Sequence, residues 1–400
     1  MRISTAQIFQ QGIGAILNQQ AQVQKTQQQL ASGQRVNTPA DDPAAAVQIL
    51  DISAQLSRLE GLQRNADLAM GQLAQQDTVL RDAVDLLQRA RELTVEANNA
   101  SQTAETRSAI AVELRSLQEG LVALANSRDA SGDYLFSGFQ TNQRPFEAGG
   151  TRVSYVGDEG GREVNIADGV AISLRDSGRK VFMAAPAGNG QFALSASPAN
   201  TGTGVLASSG ADSSYRRDEY TVGFTQTVAD GPISYTVTDS AGSSVATGVY
   251  EDGAVISFNG ARLGFSGEPA DGDRFVVEQA ATRDVFATLQ AIADSLGSAG
   301  NSTADRAAVN TAMANGLSSI DQALGHFLQQ QTSLGTRMNQ VESVQARNDA
   351  FTLGLQTTLS EVRDLDVAEA ISRLQLQLAT LEAAQSSYVS VQRLSLFDYL

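Results

Sequence analysis

The 400-residue chain has no cysteine, no tryptophan, a single histidine and two lysines, Lys25 and Lys180. Without cysteine there is no disulfide and no thiolate chemistry, so the composition fits an oxidising or a reducing compartment equally. The one histidine, His326, sits beside Phe327 in a helical pattern, far in sequence from any nucleophile or paired acid, and reads as structural. There is no His/Cys cluster for a transition metal and no carboxylate loop with calcium spacing. No catalytic residue, metal or cofactor is therefore expected, and an enzyme has no constellation to stand on. No stretch approaches the roughly 18 apolar residues of a membrane span, so no membrane insertion is expected. The opening Met1–Gln7 lacks the apolar run of a secretory signal, so exit from the cell would proceed without a cleaved signal peptide. A formal net charge of −16 argues against nucleic acid, whose phosphates need clustered Lys and Arg.

Proline and glycine are scarce everywhere except the middle. Between Ser131 and Ala280 lie 23 of the 35 Gly and five of the seven Pro. No Pro occurs between Pro43 and Pro145, or after Pro269, so both ends of the chain are free to run as long helix.

In the first arm a seven-residue repeat runs through Ile52, Leu59, Ala66, Leu73, Leu80, Leu87 and Thr94. Its companions, three residues on from Leu59 onward, are Leu62, Ala69, Gln76, Ala83, Ala90 and Ala97. These are the a and d positions of a coiled coil, and Val79, Leu86 and Leu93 widen the stripe towards a second neighbour. Asp42 is placed to cap this helix, and Pro43 to occupy its first position, where a missing N–H costs nothing. Capping accounts for the Asp41–Asp42 pair without invoking catalysis or metal. A second helix is expected after Asn98–Thr103, with Ile110, Leu114, Leu117, Leu121 and Leu124 facing back onto the first. The C-terminal arm repeats the design with Ile320, Leu324, Phe327, Leu334, Met338 and Val341.

The two extremes differ from these helices. Phe9, Ile16, Val23 and Leu30 are spaced by seven, but their companions are Ile13, Gln20 and Gln27, and eleven Gln lie within the first 34 residues. A helix so thinly apolar is marginal alone. At the other end Val367, Ile371, Leu374, Leu378, Leu381 and Tyr388 again run beside Gln. The assembly interface is accordingly assigned to Phe9, Ile13, Ile16, Val23, Leu30, Ile371, Leu374, Leu378, Leu381 and Tyr388, residues that order together or against copies of themselves.

From Ser137 to Ala280 the period falls from 3.6 to 2, as in Ile233–Thr238 and Arg274–Glu278, with turns at Asp230-Gly231-Pro232 and Asp271-Gly272-Asp273. The reading is one or two small antiparallel units joined by the Gly/Ala/Ser stretch around Ser195–Ser214. Gly157-Asp158-Glu159-Gly160-Gly161 lacks the helix and Lys of a phosphate loop and reads as a solvated hairpin turn. The fold class is thus mainly α with an all-β insertion: a long antiparallel coiled-coil bundle made from both chain ends, with a central antiparallel β domain. The boundaries are terminal segments 1–40 and 365–400, a bundle from 41–136 and 281–364, and a β-rich outer domain at 137–280.

Leu30-Ala31-Ser32-Gly33-Gln34-Arg35-Val36-Asn37, followed by Ala40-Asp41-Asp42-Pro43-Ala44-Ala45-Ala46, resembles the N-terminal signature of bacterial flagellin and its axial relatives. Ser360–Ala370 resembles the matching C-terminal signature. Within that superfamily, four features favour a hook–filament junction protein over a filament flagellin. They are the opening Met1–Thr5, Pro43 after the Asp pair, the stretch Asp133–Gly138 with Tyr134, Phe136 and Gly138, and the ending Leu394–Leu400. The resemblance implies an extracellular structural subunit, exported through the flagellar channel after release from a cytoplasmic chaperone that binds its C-terminal region. It would form a ring of copies of itself between hook-associated protein 1 and the first flagellins. The rivals are a flagellin-type filament subunit, a secreted adhesin binding through Tyr215–Tyr220, and an enzyme lodged in the insert.

Overall fold

The computed structural model describes residues 5–394 apart from 100, 151, 229, 230, 298, 299 and 301; the side chains of residues 5, 6, 8, 9 and 391–394 lie outside the description. The expected N-terminal helices are α1 (Thr5–Ser32), α2 (Pro43–Ala97) and α3 (Ala104–Ala125). From Ala66 to Ala97 every a and d position of α2 is buried. The polar members of that stripe are satisfied: Thr94 returns its hydroxyl to Ala90 O, and Gln76 bonds backbone outside its own helix. Thr103 and Thr106 form a capping box at the start of α3.

The chain divides into two compact units, Met1–Asn65 with Ser343–Leu400, and Ala66–Glu342. In the second unit α3 lies antiparallel to α2, with Arg89 bound to Glu113 at 2.7 Å. The helix α5 (Val285–Gly297) packs on α3, and α6 (Thr303–Arg363) completes the bundle through Ile320, Phe327, Leu334 and Val341, all buried and spaced by seven.

After α3 the same unit turns to strands. β1 (Phe146–Gly149) pairs with β2 (Arg152–Tyr155), and β3 (Glu163–Ala167) with β4 (Val170–Ser173), as two antiparallel hairpins. A short helix α4 (Gly178–Phe182) and the strand β5 (Ala185–Pro186) lead into the larger β region. That region is built from β6 (Phe192–Ala196), β7 (Val205–Ala211), β8 (Tyr220–Thr225), β9 (Ser234–Thr238), β10 (Ser244–Val249), β11 (Val255–Phe258), β12 (Ala261–Ser266) and β13 (Arg274–Gln279). The strand order is β10-β9-β8-β13-β6 in one sheet and β11-β12-β7 in the other. Alternation puts Tyr220, Val222 and Phe224 of β8, with Ile256 and Phe258 of β11, into one shared core. There Phe224 meets Tyr250, Phe265 and Phe275 edge to face. β14 (Thr282–Arg283) pairs with β5 and returns the chain to α5.

Two readings of the middle need correction. Ser195–Ser214 is not a linker: it supplies the end of β6 and all of β7, which pairs with β12 from Ala211↔Ala261 to Val205↔Ser266. It is an edge strand that sends Leu206 into the shared core and is otherwise held mainly by its ladder with β12. The Gly157–Gly161 segment is solvent-exposed in part but is not a hairpin turn: it links the β1–β2 hairpin to the β3–β4 hairpin, and Asp158 Oδ1 there accepts the N–H of both Phe139 and Gly160.

Candidate assembly surfaces

The last helix, α7 (Val367–Leu394), lies antiparallel against α1 and forms a terminal hairpin in the first unit. Its seam runs along Gly12, Ile16, Gln19, Val23, Thr26 and Leu30 on α1, and Ala370, Leu374, Gln377, Leu381, Ala384 and Tyr388 on α7, all buried or half-buried. The spacings are four and three, as in a coiled coil, but alternate layers, Gly12, Gln19 and Thr26 on α1 and Ala370, Gln377 and Ala384 on α7, are small or polar. Gly12 allows the Tyr388 ring to close in; a Cβ there would stand 3.2 Å from it. Thr26 Oγ1 donates to Gln377 Oε1 at 2.8 Å, and Gln19 Nε2 to Gln377 O at 3.2 Å.

Of the residues assigned to assembly, Ile16, Val23, Leu30, Leu374, Leu381 and Tyr388 therefore lie in this intramolecular seam. Ile13, Ile371 and Leu378 do not: they are 46%, 42% and 44% exposed, with Leu17, Leu376 and Val389 exposed beside them on the same two helices. The side chain of Phe9 lies outside the described residues, as do most of Met1–Thr5 and Leu394–Leu400.

The two terminal signatures form one structure. Leu365 N donates to Gly33 O at 2.9 Å and Arg35 N to Arg363 O at 2.7 Å, making a short antiparallel bridge at Gln34↔Asp364. The Arg35 guanidinium reaches Val362 O at 2.7 Å and Asp42 at 3.4 Å. Asp42 Oδ1 accepts the N–H of Ala45 and so caps α2, while Pro43 opens it. Asp41 holds the preceding turn through the N–H and hydroxyl of Thr38 and pairs with Lys25 at 2.8 Å. The Lys25 ammonium, followed by these Thr38 bonds, holds the Asp41 carboxyl down at about 2.

In the second unit the stretch Asp133–Gly138 is a hub. Phe136 is fully buried, edge-on to Phe182, and its carbonyl takes both the Tyr155 hydroxyl and Gly178 N–H. Tyr134 lies under the Arg128 guanidinium, which also donates to its hydroxyl. Gly138 has φ +74°, and a Cβ there would collide with Asp158, so only glycine serves.

Sequence reasoning missed Arg175. It is 3% exposed, pairs with Asp129 at 2.6 Å and Asp133 at 3.3 Å, and donates to Tyr134 O, locking the motif loop to the strand hairpins. Next to it Gln76 donates to Leu174 O and accepts from Asp176 N, while Arg337 and Lys180 bind the Asp176 carboxylate. Desolvation pushes the Asp176 carboxyl up, but these two cations outweigh it and hold the group below its ordinary value. His326 meets the carbonyl of Lys180 at 2.9 Å, a structural contact. In Tyr215–Tyr220, Tyr220 belongs to the β core and the Tyr215 ring packs on Phe192, so no exposed aromatic cluster exists there for an adhesin to use. Among the described residues no group of His, Cys, Asp and Glu is placed to hold a metal ion.

Known proteins match this architecture. The profile of the bacterial flagellin N-terminal helical region matches residues 3–141, and that of the C-terminal helical region matches 317–400. Flagellar hook-associated protein 3 of Escherichia coli is 24% identical over 399 residues, 100% of this chain and 99% of its own. The crystal structure of Xanthomonas campestris FlgL superposes with a TM-score of 0.71 at 32% identity, covering 77% of this chain and 99% of that one. The flagellar junction protein FlgL of Legionella pneumophila gives 0.73 at 30%, covering 79% and 100%. With both terminal signatures joined in one bridge and the motif loop packed as a hub, the chain belongs to the flagellar hook-associated protein 3 (FlgL) family of the flagellin superfamily, and is a structural subunit of the bacterial flagellum.

Proposed function

We propose that this chain is the subunit of the ring that joins hook to filament, lying between hook-associated protein 1 and the first flagellins and giving flagellin its surface to polymerise on. The observation that supports this reading most is the terminal hairpin, whose seam is filled inside the chain while Ile13, Leu17, Ile371 and Leu378 stay exposed. Exposed apolar side chains on helices already paired along another face call for further helices. Residues 1–40 and 365–400 are accordingly the assembly segments, 41–136 with 281–364 the supporting bundle, and 137–280 the outer part. Before assembly the same apolar faces need cover, which a cytoplasmic export chaperone at the C-terminal region supplies; the chain then passes unfolded through the flagellar channel to an extracellular site.

Electron microscopy of a strain lacking the gene tests this. The expected result is intact hooks without filaments, with flagellin lost to the medium. Normal filaments on that strain would overturn the junction reading. A count of copies per flagellum separates it from a filament flagellin, which would be present along the whole filament rather than in one ring.

A further inference from the structure

On the flank of α3 that faces β1–β2 there is a groove of about 410 Å³, lined by Arg115, Glu119, Val122, Arg144, Arg152 and Gln290 among others. Arg115 is engaged with Asp294 at 3.2 Å. Arg144 and Arg152 are exposed and have no ion-pair partner among the described residues, and Glu119 is the one carboxylate in the lining. In a chain with 44 acids against 28 bases, the uncompensated Arg144 and Arg152 on this apolar-floored groove make a patch of positive potential.

The complementary surface is on the same chain. Asp82, Asp85, Arg89, Glu92 and Glu96 recur along α2 at spacings of three and four and form one outward stripe. Arg89 is neutralised by Glu92 and Glu113, while Asp82, Asp85 and Glu96 are exposed without an ion-pair partner among the described residues. The antiparallel register of α2 and α3, fixed by Arg89 with Glu113 and by Leu86 against Gly120, sets Asp82 and Asp85 level with the groove at Glu119–Val122. Glu113 and Gly120 are on the flank of α3 turned to α2, whereas Arg115 and Glu119 are on the groove side; α2 lines no part of the groove. One molecule therefore cannot bring the two surfaces together. A second copy placed beside it can.

We infer that the Arg115–Arg144–Arg152 groove of each subunit receives the Asp82–Asp85 stripe of the laterally adjacent copy. The contact joins two different surfaces and is head-to-tail, the kind that generates rings and helical arrays. It rests on the reading of this chain as a ring subunit and adds the lateral contact that builds the ring.

The absence of cysteine makes the test clean. The full-length double variant Asp85→Cys/Arg152→Cys, produced in a strain lacking the gene, is expected to give a ladder of disulfide-linked multimers from oxidised, isolated flagella, with neither single variant doing so. Attached filaments together with monomer only would overturn the lateral contact while leaving the ring reading intact. Filaments attached in the strain without any copy of the gene would overturn the ring reading itself. A second arm uses charge. Arg144→Glu/Arg152→Glu and Asp82→Arg/Asp85→Arg, each secreted at normal levels, should lower the number of filamented hooks about tenfold through like-charge contact. The combined reversal should restore it; failure to restore overturns the pairing.

Discussion

The terminal hairpin and the Ala66–Glu342 unit are built from the same heptad grammar and filled in opposite ways. In the larger unit Phe136, Phe146, Phe182, Phe286 and Phe327 form one aromatic cluster with ring centres 5.2–5.9 Å apart, and α2 contributes Leu73, Leu80 and Leu87 to its core. Full burial of each such side chain is worth about 1.5–3 kcal/mol. The hairpin seam offers Gly12, Gln19, Thr26, Ala370, Gln377 and Ala384 in the corresponding places. These alternate with Ile16, Val23, Leu30, Leu374, Leu381 and Tyr388, and hydrogen bonds help to hold the register, while Ile13, Leu17, Ile371 and Leu378 stay outside. One region is stabilised by buried bulk; the other leaves these four side chains exposed on its outer faces.

Substitutions that treat the two regions alike should expose this difference. Leu80→Asp puts a carboxylate into a fully buried position and removes a large side chain, so thermal unfolding of the monomer should report a loss of about 5 kcal/mol. Arg175→Met leaves Asp129 buried without its counter-charge and should cost about 3 kcal/mol by denaturant titration, with the motif loop becoming protease-sensitive. Pairing Arg175→Met with Asp129→Leu should recover part of that loss.

In the smaller unit the expected effects are local. Asp41 has its carboxyl lowered from the ordinary 3.8 to about 2, chiefly by Lys25. A depressed folded value means the stabilisation is full above the unfolded pKa and disappears as pH falls through about 2. Limited proteolysis of the hairpin should therefore distinguish the wild type from Asp41→Asn at pH 5 and no longer do so near pH 2. A difference that persists at the acid end would mean that the Lys25 pair is not its source. The smallest effect on the monomer belongs to Leu378→Asp, at the exposed edge of α7: unfolding should shift by less than about 0.5 kcal/mol, although no filament forms on hooks carrying it. A loss as large as that of Leu80→Asp would place Leu378 in the monomer core and end the comparison.

The larger unit was easier to read from sequence than the smaller one, for a physical reason. The α2 stripe is legible because big apolar residues recur on one face, and Asp42-Pro43 is legible because caps are local chemistry. In the hairpin seam the layer of Ile16, Val23, Leu30, Leu374, Leu381 and Tyr388 is legible, but the other layer falls on Ala370 and Gln377 rather than Ile371 and Leu378, because close helix approach favours small side chains and those carry little hydrophobic signal. Arg175 and the partners of Gln76 were invisible, since their meaning comes from groups 46 and 98 residues away. The strand β7 was mistaken for a linker because Ser, Ala and Gly look alike whether a ladder holds them or not.

The bridge between the two signatures also sets an order of events. Arg35 finds Val362 across 327 residues, and Gln19 finds Gln377 across 358. Loops of that length close late, and the hairpin cannot begin to form while the final tenth of the chain is still on the ribosome. If the hairpin carries the proposed assembly surfaces, they are borne by the element that closes last, and an unfinished chain has no organised hairpin. The distance between partners thus works as a timer: the hairpin organises only when the last helix is present.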